Sequence, residues 1–268
     1  MKQFTARHPW AILAAGAAIQ ILTGLPAAWG VFQQPVMDEF SLTEDGAGYA
    51  FGILIAAFGV GCVIGGFLQD KKGPRCAALW GTGLLCGGFF AAALLPGEKG
   101  AWFWAVFSIP AGLGTAFLYP SIQSCAQKWY AGRKGLATGV IGGAVGLSGA
   151  FLTGFVRTAL KGFGPVQGIR GAFWALGVLT LPVCLVGSAL LTDPPPAKQK
   201  PEEQGRGKGT PSLDLAPLQM LRTKQYWLCA GAVCCSTPAV LLFSPIILKL
   251  GMERGLDCLL YTSPSPRD

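Results

Sequence analysis

The sequence predicts an all-α, polytopic membrane protein, and three observations carry that prediction. Of 268 residues, 51% are apolar, 13% are charged and 39 are glycine. Soluble domains average about 25% charged residues and about 7% glycine. Seven windows contain no Asp, Glu, Lys, Arg or His: Trp10–Phe32, Ala47–Leu68, Cys76–Leu95, Ala101–Ala126, Gly135–Val156, Ala172–Leu191 and Tyr226–Leu248. Each is 20 to 26 residues long, and about 20 residues of helix cross a hydrocarbon core. The charges collect between these windows. This composition excludes a disordered chain, which would be polar and charge-rich, and the absence of a strict glycine period excludes collagen.

Each window reads as a helix, because lipid leaves no partner for an open backbone. A β-barrel would show short alternating segments, and these runs are continuously apolar. The first window is too long for a signal-peptide core and reads as a retained helix. An acidic loop with Asp38, Glu39, Glu44 and Asp45 leads to the second window. Gly73-Pro74 forces the reversal between the second and third. The fourth, fifth and sixth follow across short loops. Residues 1–191 therefore form a six-helix bundle. The longest loop, 192–225, opens on Asp193-Pro194-Pro195-Pro196 and continues in Lys, Glu, Gln and Gly, the composition of a flexible linker. Near its end, residues 218–222 read either as a short interfacial helix or as an unstructured lead-in. Residues 226–257 carry the seventh helix.

Basic residues set orientation. With the N-terminus cytoplasmic, that side holds fourteen Lys and Arg, including Lys71, Lys72, Arg75, Lys128, Arg133 and Lys134. The outer side holds four: Lys99, Arg157, Lys161 and Arg170. Both the N-terminus and the 192–225 loop are then cytoplasmic. The net charge of +8 is mostly this topological bias. It does not point to nucleic acid, because the membrane spans divide the basic clusters. The cysteines lie mostly inside apolar windows and behave as small hydrophobes. No metal-ligand spacing occurs, and the one histidine is His8, so no metal or cofactor is expected. Clustered ionisable groups occur only in loops, which leaves an enzyme without a site.

The densest motif joins windows two and three: Gly66-x-x-x-Asp70-Lys71-x-Gly73-x-Arg75. Gly66 would let a neighbouring helix approach, Asp70 would accept from a helix terminus or a base, and Gly73 would make the turn. A generic positive-inside turn is the plainer reading. The arrangement resembles the signature loop of the major facilitator superfamily, in which it latches two halves of a transporter. A second block, from Gln127 through Trp129, Arg133, Lys134 and Gly135 to Gly139, resembles oxalate/formate-antiporter-like and monocarboxylate-porter-like members. The resemblance spans roughly residues 10–257. It implies the six-helix N-terminal half of a facilitator fold plus helix seven, moving a small organic anion by alternating access with a proton or counter-anion. A transport-dead receptor or scaffold on the same fold is the alternative.

No window contains an ionisable residue, so the candidates for a midplane substrate site are neutral. Gln20, Trp29, Tyr119 and Gln123 are the leading ones; interhelical hydrogen bonding or core packing is the competing role of each. The oxalate pattern has other residues where this chain has Pro26-Ala27 and Val145, so the resemblance does not extend to oxalate itself. Gly139 and Gly143, with Gly142 and Gly146 on an adjoining stripe, would let helix five pack closely. Residues 258–268 break the pattern and resemble a translated sequencing adapter, so they are expected not to be native.

Overall fold

The computed structural model describes residues 9–163, 168–192 and 217–237. It comprises two units, Met1–Pro194 and Pro195–Asp268. Among the described residues six helices are long and apolar enough to cross a membrane. In the first unit the helices are α1 (Pro9–Thr23), α2 (Leu25–Phe40), α3 (Glu44–Lys72), α4 (Pro74–Leu94), α5 (Ile109–Trp129), α6 (Lys134–Phe163) and α7 (Gly168–Leu190). Helices α1 and α2 together make the first span, Pro9–Phe40.

Local chemistry explains the boundaries. The first window breaks at Gly24, because Pro26 at the start of α2 has no N–H to continue the ladder. The Gly24 carbonyl instead accepts from the Ala27 amide at 3.1 Å and the Ser148 hydroxyl at 3.4 Å. The helix then runs eight residues past Phe32, through Gln33 and Asp38, to Phe40. A charge-free window ends where the lipid would end, whereas a helix ends where its caps are. Ser41 closes α2 in the left-handed region at φ 49°. The Thr43 hydroxyl caps α3 by accepting from the Gly46 amide at 3.1 Å. Glu44 and Asp45 sit at the positive end of the α3 dipole, with Lys71 and Lys72 at its negative end.

The fourth window becomes regular α-helix late. A 3₁₀ turn (Gly97–Trp102) and a π turn (Trp104–Ser108) precede α5. Trp104 donates its indole N–H to the Gly46 carbonyl at 3.1 Å, tying this entry to the start of α3.

Helix α5 packs against both α3 and α4, α4 also meets α7, and α1 packs against α6 and α7. Phe40, Phe89, Phe103, Phe107 and Phe173 form one buried aromatic cluster near the α2 end, with centroids 5.0 Å apart for Phe107–Phe173 and 5.1 Å for Phe103–Phe107. Such pairs add about 0.5–1.5 kcal/mol each beyond area burial. Elsewhere glycine brings backbones together. A Cβ on Gly114 would stand 2.7 Å from the Gly81 carbonyl, and one on Gly81 would stand 2.8 Å from the Gly114 carbonyl. A Cβ on Gly61 would lie 2.6 Å from that of Ala116.

The second unit shows a short helix, Pro217–Met220, and a helix over 224–237. The Trp227 indole N–H bonds the Leu221 carbonyl at 2.9 Å. Residues 238–248 of the seventh window, the linker from 193 to 216 and the tail 258–268 lie outside the described residues.

Candidate functional site

The turn between α3 and α4 is tight because Gly73 sits at φ 84°, a region that side-chain-bearing residues rarely adopt. Its N–H closes α3 on the Gln69 carbonyl at 2.8 Å. Asp70, Lys71 and Lys72 are exposed and Arg75 is half-buried. Among the described residues none of Asp70, Lys71 or Arg75 is held in an ion pair. The motif is thus a presented cluster with no internal latch in this unit. One expectation is corrected here. Gly66 does not admit a neighbouring helix within the unit, since a Cβ there would meet nothing within 4 Å. Gly65 does so instead, against Phe117 at 2.9 Å. Gly66 lies one position, about 100° of helical turn, away from the buried face.

The second motif is held differently. The Trp129 indole N–H donates to the Thr192 carbonyl at 2.7 Å, and Cys125 Sγ reaches the same oxygen at 3.4 Å. The end of α5 therefore caps the exit from α7. Trp129 falls in a motif recognised from sequence, but its partner lies 63 residues away and no local signal names it. Tyr130 and Arg133 close a 3₁₀ turn, with the Arg133 amide on the Tyr130 carbonyl at 2.8 Å. Arg133, Lys134 and Gly135 are exposed.

Of the four cavity candidates, two are buried and two are partly exposed. Gln20 is 1% exposed and accepts from the Thr23 hydroxyl at 3.1 Å. Trp29 is 2% exposed and lies 5.7 Å, centroid to centroid, from Phe51. Both are interior to the six-helix unit, so as placed here neither lines a cavity outside it. Tyr119 and Gln123 are partly exposed on α5, one turn apart. The Tyr119 ring lies 6.3 Å from that of Phe58, and Gln123 Oε1 is buried without a hydrogen-bond partner. Gln127, one turn further, donates to the Thr138 hydroxyl of α6 at 3.1 Å. Gln127 opens the second sequence block but was not among the cavity candidates; its spacing of four from Gln123 places both on one face of α5.

Gly139, Gly142, Gly143 and Gly146 do not pack helices together within this unit. A Cβ at any of them meets nothing within 4 Å, and all four are exposed. The close contacts fall on Gly61, Gly65, Gly81, Gly112 and Gly114 instead. A repeat of small residues marks a smooth face without saying what covers it.

Arg170, which runs against the positive-inside count, pairs with Glu39 at 2.8 Å and joins the ends of α7 and α2. In the described spans every Asp, Glu, Lys and Arg lies within the first or last two turns. Thr82 and Ser188, both buried, share a hydrogen bond of 3.2 Å between α4 and α7. Two apolar grooves open on the unit. One, of about 550 Å³, lies between α1 and α7; the other, of about 520 Å³, runs along α4. Neither contains a cavity candidate.

Among the described residues, six helices long and apolar enough to cross a membrane, Asp, Glu, Lys and Arg confined near their ends, and glycine-mediated backbone contact define a multi-pass membrane-protein fold. Residues 11–265 match the sequence profile of the Major Facilitator Superfamily, and the chain belongs to that family. The oxalate:formate antiporter of Oxalobacter formigenes is 23% identical over 210 residues, covering 77% of this chain and 47% of that protein. The uncharacterised transporter YhjX of Escherichia coli is 24% identical over 225 residues, covering 84% and 53%. Monocarboxylate transporter 1 of Rattus norvegicus is 28% identical over 214 residues, covering 77% and 42%. The chain spans about half the length of these relatives.

Proposed function

We propose that this chain is part of a secondary transporter that moves a small organic anion of the mono- or dicarboxylate class by alternating access, in exchange for a counter-anion or together with a proton. The observation that carries the reading is the polar stripe on α5. Tyr119 and Gln123 are partly exposed one turn apart on α5, and the buried Gln123 Oε1 has no hydrogen-bond partner within this unit, which leaves a polar group to be satisfied. Polar groups within a span belong against a water-filled path. The names of the relatives, an oxalate:formate antiporter and a monocarboxylate transporter, supply the substrate class.

The mechanism follows from what this unit offers. Neutral amide and phenol groups orient a carboxylate but do not neutralise it, and no Asp, Glu, Lys or Arg lies in the middle of a described span. The balancing charge would come from the rest of the transporter. Gly66, Asp70, Lys71, Gly73 and Arg75 would gate at the cytoplasmic end, where the unpaired charges stand free for a partner. Trp129, Arg133, Lys134 and Gly135 would hold the neighbouring turn. The open faces at Gly139, Gly142, Gly143 and Gly146 would let the unit rock against its other half. Gln20 and Trp29 would shape the first span from inside.

Reconstituting the full-length protein in vesicles and measuring uptake across a carboxylate panel tests this. Saturable uptake accelerated by internal substrate supports it. No saturable flux with any carboxylate overturns the substrate class, and binding without flux would favour a receptor or scaffold.

A further inference from the structure

The groove on α4 lies outside the proposed transport path. Cys76, Leu79, Trp80, Gly83 and Leu84 line it, a spacing of three and four that defines one helical face. Trp80 is 60% exposed and Leu79 38%. A Cβ on Gly83 would meet nothing within 4 Å, so the floor is open. The nine positions from 76 to 84 cover about 12 Å of helix, close to half a hydrocarbon core. At the head of the groove stands the α3–α4 turn, with exposed Lys71 and Lys72, half-buried Arg75 and one acid, Asp70. The first amides of α4 add the positive end of its dipole, since Pro74 opens the helix and the amides that follow it have no partner within it. An apolar channel of acyl-chain length thus ends on a net positive head. The other groove, between α1 and α7, has only apolar lining residues.

We propose that the α4 groove is a binding site for one anionic phospholipid, with an acyl chain against Trp80 and Gly83 and the phosphate on Lys71, Lys72 and the start of α4. The acyl chain alone gives no selectivity, because any lipid tail is equally apolar. Selectivity comes from the headgroup, and one Lys or Arg near the membrane surface is worth about a fivefold preference. The site requires neither transport nor the α5 stripe.

The test is fluorescence quenching of the 268-residue chain in phosphatidylcholine bilayers. Phosphatidylglycerol or phosphatidylcholine with brominated acyl chains is added at equal mole fraction, and the Trp80 signal is the difference from Trp80→Phe. The brominated phosphatidylglycerol should bind about fivefold better, with the preference shrinking as salt screens the head. The double substitution Lys71→Gln, Lys72→Gln should bring the two lipids to parity. Gly83→Leu, which fills the groove without a clash, should reduce quenching by both. Equal quenching in the parent chain at low salt would overturn the proposal, as would a preference that survives the double substitution. Protection of Cys76 from a maleimide by inorganic phosphate alone would also overturn it, by making the head a free-anion site.

Discussion

Substituting Gly114 by alanine should be the most damaging single-methyl change in the α4–α5 interface. The added Cβ would lie 2.5 Å from the Leu85 amide nitrogen and 2.7 Å from the Gly81 carbonyl, where ordinary contact begins at 3.4 Å. These neighbours are backbone atoms and cannot rotate away, so the helices must part by about 0.9 Å. Overpacking of this kind costs about 1–3 kcal/mol, which lowers a melting temperature by about 4–8 °C at the midpoint of that range. The same separation would stretch the contact of Gly81 on α4 with Leu118 on α5. The control is Gly143→Ala, whose Cβ meets nothing within 4 Å. That change should be neutral or stabilising by up to about 1 kcal/mol, from helix propensity alone. Thermal unfolding of both variants in detergent, followed by circular dichroism and by size-exclusion recovery, reads the difference. Equal melting temperatures for Gly114→Ala and Gly143→Ala would refute the claim that Gly114 marks a close backbone approach between α4 and α5.

Replacing Trp129 by phenylalanine keeps the ring but removes its N–H from the Thr192 carbonyl, and should cost about 1 kcal/mol in the same unfolding assay. A double-mutant cycle over Thr82→Val and Ser188→Ala should give a coupling of about 0.5–1 kcal/mol; additive effects would mean the 3.2 Å contact contributes nothing. Glu39→Gln should destabilise by less than about 1 kcal/mol, and the loss should shrink in high salt, because the ion pair with Arg170 is partly exposed. Gln123→Leu should leave stability unchanged or raise it, since it removes an unpartnered oxygen, while raising the KM for uptake by the full-length protein. A KM equal to that of the parent would take Gln123 out of the transport path.

Helices and their approximate extents were legible from charge-free windows alone, because a bilayer penalises every charge and every open backbone within it. The signature turn was legible too, since Gly73 must occupy a positive φ whatever surrounds it. The glycines were not. Gly65 and Gly66 are neighbours in an identical local setting, yet one touches Phe117 and the other touches nothing. Likewise Gln20 and Gln123 are both amides in apolar runs, and only the packing of α1 and α5 makes one fully buried and the other partly exposed.

By itself, then, the sequence determined the class, the spans and the placement of charge at helix ends. These depend on single residues meeting a solvent. Only the tertiary structure decided which glycines carry the bundle, that Trp129 caps the exit of α7, and that Arg170 pairs with Glu39. These depend on the rotation of one helix against another, and a shift of one residue turns a side chain by about 100°.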